Sequence, residues 1–327
     1  MNALLLLVYN AVLNGTPLLY GTTGEILTEK SGNLNLGVEG MMFMGGAMGL
    51  GGAFYYERLA GEGASGIIAV LIALVCAFAG GAFGALIYSF LTVTLRANQN
   101  VTGLALAIFG TGTGQFLGEY MRVSSGGYVA IGNRLKGFFM DSPFPAALRD
   151  LPVVGILLFR YNIFVYVGIA IAAVMGVFLA RSRTGLNLRA VGESPATADA
   201  AGIDVIRYKY LATVLGGGIS AMGGMAYIMT IAGCVWNHEG LSGEGWLAVA
   251  LVIFCLWRPV GAVFGSILFG ALMILYLRVQ LPFVPDQLYR ILPYVVTVAV
   301  LIVTSTRSSR DSQPPASLGL AYFREDR

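Results

Sequence analysis

The spacing of charge along this chain constrains its fold more than any other feature. Nine long stretches hold no Asp, Glu, Lys or Arg: 1–24, 40–56, 63–95, 97–118, 161–180, 210–238, 245–257, 259–277 and 291–306. A charged side chain at the centre of a bilayer costs about 2.5–3.5 kcal/mol, so such stretches mark where a chain can cross. At 1.5 Å per residue a helix needs about 20 residues to span about 30 Å of hydrocarbon. Most of the nine suffice, whereas 245–257 is short and must borrow flanking residues or form a broken or partial span. Only 11% of the residues are charged, against about a quarter in a soluble domain. The expectation is an all-α polytopic membrane protein with about nine transmembrane helices, within a range of eight to ten. Residues 1–306 form one transmembrane domain and 307–327 a cytoplasmic tail. No Lys or Arg precedes the first apolar run and no small-residue cleavage pattern follows it, so the first helix is expected to be retained.

Orientation follows from Lys and Arg, which collect on the cytoplasmic side. Nine crossings with the C-terminus inside place Lys30, Arg96, Arg181, Arg183, Arg189, Arg207, Lys209, Arg258, Arg307, Arg310, Arg324 and Arg327 in the cytoplasm, 12 of the 20 basic residues. The loop 181–209 carries five of them around a polar segment and fixes the assignment. The loop 119–160 also holds five, but a long translocated loop obeys the rule weakly. The net charge of +3 is scattered, and no basic run is dense enough to grip nucleic acid. Cys76, Cys234 and Cys255 form no CxxC pair and read as apolar packing residues rather than a disulfide or metal site.

Glycine contributes 45 residues, about twice the usual share. In lipid, small residues let helix backbones approach where apolar side chains gain nothing over the acyl chains. The run from Met44 to Ala53, and Gly216 to Gly218 with Gly223 and Gly224, therefore predict tight helix crossings. No glycine run is followed by Lys-Ser or Lys-Thr, so a phosphate-cradling loop is excluded.

Within 181–209 the ends of a short helix can be read directly. Ser194 suits the N-cap, Pro195 the first turn, and Gly202 the left-handed position after the last turn. Two turns cannot cross a bilayer and are marginal in water without a packing partner. The helix either packs on its own protein or docks on a cytoplasmic partner.

The segment from Arg183 to Ile203 (RTGLNLRAVGESPATADAAGI) resembles the cytoplasmic loop of ABC importer permeases of the branched-chain amino acid, ribose and nucleoside class. Glu29 to Met41, Leu95 to Leu106 and Leu256 to Ala262 are similar to three further blocks of that family, and the likeness extends over nearly the whole chain. Within the class it looks most like the shorter permease of nucleoside importers that work with a basic-membrane-type lipoprotein. The resemblance implies a permease subunit in the cytoplasmic (inner) membrane, paired with a second homologous permease, a cytoplasmic ATPase that binds ATP and Mg, and an external substrate-binding lipoprotein. The chain itself then carries no cofactor and no catalysis. Glu193, Pro195, Ala198, Ala201 and Gly202 carry over as residues that couple to the ATPase. Asn237, His238 and Glu239 depart from the family's smaller-residue approach to a glycine-rich turn. His238 reads as a solvated or gate-packing residue.

The polar residues at the starts of two spans, Asn33, Asn35 and Glu39, and Asn98, Gln99, Asn100 and Thr102, are the candidates for the translocation path. Amides offer donors and acceptors without charge, which suits a neutral polyhydroxylated solute or a nucleobase edge. If helical, Asn35 and Glu39 share a face. The alternative is that these residues cap helices or bond between them. Glu39-Gly40 and Glu244-Gly245 each open a glycine-punctuated segment, the signature of an inverted repeat. An ion-coupled secondary transporter is the rival class, and it needs an ionisable residue deep in a span. None of the nine stretches has one. A membrane enzyme is disfavoured, since no HExxH or GxSxG lies in a span.

This topology puts position 194 inside. A Ser194→Cys variant in intact cells is expected to resist an impermeant maleimide and to react after permeabilisation; labelling from outside would reverse the orientation.

Overall fold

The computed structural model describes residues 3–275, 286–306 and 313–323. Among these the regular structure is helical, apart from an isolated antiparallel bridge between Ala130 and Val235. The helices are α1 (Ala3–Glu29), α2 (Val38–Ala60), α3 (Gly66–Ser89, continued by a π-helical turn Phe90–Thr94), α4 (Gln99–Ser124), α5 (Asn133–Met140), α6 (Ala146–Arg149), α7 (Ile163–Arg181), α8 (Arg183–Glu193), α9 (Pro195–Ala200), α10 (Val205–Thr230), α11 (Glu244–Phe254), α12 (Pro259–Ile274) and α13 (Asp286–Thr306). Each of the nine charge-free stretches falls on one helix of the set α1, α2, α3, α4, α7, α10, α11, α12 and α13. By length and composition five helices, 4–29, 66–94, 99–124, 163–181 and 205–230, are long and apolar enough to cross a membrane. Residue 245–257, read as a short segment, is an 11-residue helix, α11. The basic residues Arg307, Arg310, Arg324 and Arg327 lie outside the described residues.

Caps set the helix starts where the sequence supplies them. Asn98 Oδ1 accepts from the Val101 amide at 3.1 Å, Ser182 Oγ from Gly185 at 2.8 Å, and Asp204 Oδ1 from Arg207 at 3.0 Å. Each bond satisfies an amide that the first turn leaves without a helical partner. The ends of the charge-free stretches are not the ends of the helices. The first helix continues past residue 24 through Glu25 and Glu29, both buried, and α10 begins five residues before 210 and carries Arg207 and Lys209.

Helices α2 and α10 form the centre, and the glycines are the reason they can. α10 packs on α1, α2 and α3, while α2 packs on α3 and α4. A Cβ at Gly216 would stand 2.5 Å from the Gly24 carbonyl, and one at Gly217 would stand 2.5 Å from the Ala85 methyl and 2.7 Å from Met41 Sδ. Gly40 meets Gly110 in the same way, with a Cβ on Gly110 lying 2.6 Å from the Gly40 backbone. The glycine run therefore lies at backbone crossings, as its composition predicts, and the gain is dispersion between closely spaced backbones.

Residues 125–162 and the segment after α10 cover one end of the bundle. The Ile131 amide donates to the Cys234 carbonyl and the Trp236 amide to the Val129 carbonyl, each at 3.1 Å. Arg134 donates to the carbonyls of Gly61 and Glu62 in the turn after α2. Cys234 is buried in the apolar core. It is an inert packing group, in keeping with the reading of the cysteines.

Gly217→Leu has no space on either side. Overpacking of a close-packed core costs about 1–3 kcal/mol, and more where backbone must move. The variant is expected at reduced membrane abundance with a lowered unfolding temperature in detergent; wild-type values of both would place this run on a lipid-facing surface.

Candidate functional site

Polar residues collect where two helices start inside the bundle. After α1 the chain forms turns and an extended stretch over 30–37, and α2 starts beside Gly21 of α1. That point is eight residues, or about 12 Å, from the Glu29 end of α1. α11 starts at the same level: its Gly245 packs on Glu39, and Thr22 Oγ1 donates to the Ala248 carbonyl at 3.0 Å. The Glu39 carboxylate spans the junction. Its Oε1 accepts from the Gly243 amide and its Oε2 from the Gly245 amide, both at 2.7 Å. A carboxylate at a helix N-terminus meets unpaired amides and the positive end of the helix dipole. Glu39 is 7% exposed, so its carboxylate is met by these amides rather than by solvent. Glu244, the first residue of α11, is also buried, and its Oε2 has no hydrogen-bond partner among the described residues.

The extended stretch is held residue by residue. Glu25 accepts from the Asn35 amide at 3.1 Å and from Asn35 Nδ2 at 3.3 Å, while Asn35 Oδ1 accepts from the Gly37 amide at 2.9 Å. Asn33 Nδ2 donates to Thr213 Oγ1 of α10 at 2.8 Å, and Gln99 Oε1 accepts from the Leu34 amide at 2.7 Å. Tyr88 donates to the Leu34 carbonyl, and Glu29 accepts from the indole of Trp257, just beyond α11. Hence Asn33, Asn35, Glu39 and Gln99 come together around one segment. Asn98 caps α4, Asn100 is exposed, and Thr102 is buried on α4. Asn35 and Glu39 do not share a helical face, because α2 begins at Val38 and Asn35 closes the turn before it. These amides brace the entry to α2, which is the interhelical role weighed above. The braces Glu25, Glu29 and Trp257 were not legible as a site. The four-residue spacing of Glu25 and Glu29 after an apolar run is the signal that the helix continues through them.

The loop 181–209 folds as α8 and α9. Ser194 Oγ accepts from the Thr197 amide, Pro195 occupies the first turn, Ala201 is the C-cap, and Gly202 takes φ +82°. Ala196, Thr197, Ala200 and Ala201 are exposed, and Glu193 is exposed beside them. Ala198 is 3% exposed and packs with Val191 of α8 and Val205 of α10. Ala198 therefore packs α9 onto its own protein, on the side away from the exposed alanines. Lys30 lies across the loop from Glu193. Burial pushes its ammonium below the ordinary lysine range, and Glu193 opposes that shift.

The described part of the tail returns to this loop. Ser317 donates its amide to the Gly192 carbonyl at 3.0 Å and its hydroxyl to the same oxygen at 2.5 Å; the Ala316 amide reaches Glu193 at 3.3 Å. The Gly319 amide donates to the Gly32 carbonyl at 3.2 Å, and the Leu320 carbonyl accepts from Gln99 Nε2 at 3.3 Å. The Tyr322 hydroxyl donates to Asp199 of α9 at 2.8 Å, and the Arg96 guanidinium lies 4.8 Å above the Phe323 ring. One strap thus joins α8 and α9 to the entry of α2 and the start of α4.

Comparison with known proteins agrees with this architecture. The family described as branched-chain amino acid transport system permease components matches residues 8–301. A Haloferax volcanii protein, provisionally named a glucose ABC transporter permease, is 34% identical over 335 residues, covering 95% of each chain. The guanosine ABC transporter permease NupQ of Bacillus subtilis is 29% identical over 328 residues, covering 98% of each chain. The nucleoside ABC transporter permease NupC of Lactococcus lactis is 29% identical over 306 residues, covering 92% of each chain. With its apolar helices and its match along nearly the full length, the chain belongs to the branched-chain amino acid transport system permease family and is a multi-pass membrane permease subunit of an ABC transporter.

Proposed function

We propose that this subunit forms half of the translocation path of an importer for nucleosides, driven by a separate ATPase and supplied by an external binding protein. The solute rests on two of the relatives, which are named for guanosine and for nucleosides at near-complete coverage. A third relative is named for glucose, which makes a sugar the competing solute. A second, homologous permease completes the path. In this reading the chain crosses the membrane nine times, with 1–306 as the membrane domain, the loop 181–209 and the tail 307–327 in the cytoplasm, and ATP and Mg held by the ATPase alone.

α2 and α11 are read as matching elements of an inverted repeat. Each begins inside the bundle after a non-helical approach and carries Glu-Gly in its first turn. Such discontinuous helices gather at the centre of transporter folds.

The observation that carries the coupling role is the shape of α9. It is anchored by buried Ala198 and by Tyr322, while Ala196, Thr197, Ala200 and Ala201 form a small-residue outer face with little bulk. A short rigid helix of this kind fits a cleft and passes rigid-body motion to α8 and α10. Glu193, Pro195, Ala201 and Gly202 belong to its ends, and the tail carries displacement on to the entry of α2.

Two arginine substitutions separate docking from packing. Ala200→Arg is expected to keep membrane abundance, lose the co-purifying ATPase and abolish uptake, since Arg cannot shed its charge. Ala198→Arg buries a charge and is expected to lower abundance instead. Wild-type uptake by Ala200→Arg would remove α9 as the docking element.

The solute is tested by reconstituting the complex in vesicles with labelled guanosine. ATP-dependent uptake should be competed by unlabelled nucleosides and not by glucose. Competition by glucose alone would replace the nucleoside assignment with a sugar, and the purified chain without partners should hydrolyse no ATP above background.

A further inference from the structure

Beside α9 lies a cavity of about 500 Å³ that the bracing network does not use. Its walls are the Thr92–Thr94 end of α3, the first turns of α4 and α10, the end of α9, and Ala321 and Tyr322 of the tail. Lys209 lines it from the second turn of α10. This lysine is 3% exposed, and no carboxylate stands within ion-pair distance of it among the described residues. A buried ammonium without a counter-charge carries a large desolvation cost, which a bound anion removes.

The other charges fit such a ligand. Arg96 lines the same cavity. Two acids, Asp199 and Asp204, also line it, and their oxygens are turned to protein donors: Asp199 accepts from Tyr322, and Asp204 caps α10. Two helix N-termini, at Gln99 and Val205, open onto the space, and their amide ends favour negative charge. The Lys209 ammonium brings three donors to this volume, and the Arg96 guanidinium adds a second positive charge at its wall. This suits a tetrahedral oxyanion better than a halide.

We propose that this cavity binds a phosphoryl group, held chiefly by Lys209 and closed over by the tail at Tyr322. Occupation would join α10 to the strap and fix α9 in place, so the anion would act on the coupling element from its own side. That consequence rests on the function proposed above, whereas binding does not and is measured separately. The chemistry is common to a free phosphate compound and to an anionic lipid headgroup.

The test uses the full complex in phosphatidylcholine nanodiscs, titrated with inorganic phosphate and with pyrophosphate at constant ionic strength. Saturable binding and a rise in unfolding temperature with ligand are expected for the native protein. Lys209→Met keeps the volume of the stem and removes the charge, and should weaken binding at least tenfold, while Lys209→Arg should restore it. If neither probe binds, lipids retained through purification are compared by mass spectrometry. Phosphatidylglycerol enriched in the native protein and lost in Lys209→Met would support a headgroup as the source. Equal binding and equal lipid retention in the native protein and Lys209→Met would overturn the proposal. Should Lys209→Met fail to assemble, Tyr322→Ala opens the closing wall and is expected to raise the phosphate dissociation rate; an unchanged rate would equally overturn it.

Discussion

A helix that begins inside an apolar bundle leaves its first amides with nothing to donate to, and in lipid no water can repair the loss. This chain contains two such starts, at Val38 and Glu244, and one carboxylate serves the second of them. Glu39 accepts from both Gly243 and Gly245, so the start of α2 supplies the cap of α11. The surrounding order depends on that junction, because helix ends that lie inside the bundle can be satisfied only by protein groups.

Close approach is the second condition. The junction sits where α1, α2, α10 and α11 meet, and glycine lets their backbones come near enough for side chains to reach. Gly21 admits Ala248 beside Val38, and Gly245 admits Glu39. In a soluble core the same elements could be held by apolar burial. In a membrane the acyl chains compete equally, and packing between small residues must do it. The glycine content and the buried carboxylates are therefore parts of one solution rather than separate features.

At the opposite surface the same logic appears in softer form. After the turn that closes α1 at residues 30–32 the chain leaves regular helix until α2, and polar groups of this stretch are met by Glu25, Thr213, Gln99, Tyr88 and the tail. Because the tail also bonds to α8 and α9, the short helix and the entry of α2 are joined by a few directional bonds. Asn33, Asn35 and Gln99, named as candidates for the path, each make hydrogen bonds within this framework.

The sequence determined where the apolar helices lie, because exclusion of charge from hydrocarbon is a local property of each segment. It also determined α9, whose Ser194, Pro195 and Gly202 each act within one turn. It placed the glycine crossings in general, since small residues have that use in lipid whatever their partner. The tertiary structure alone decided that α1 runs on through Glu25 and Glu29, that Glu39 serves a helix some 200 residues away, and that Ala198 faces inward. It alone brought the tail onto α9. Each of these depends on which distant group supplies a donor or a surface, and a carboxylate or an alanine carries the same local signal whether it meets water or a helix start. The physical difference is partnership across the chain, which no local spacing encodes.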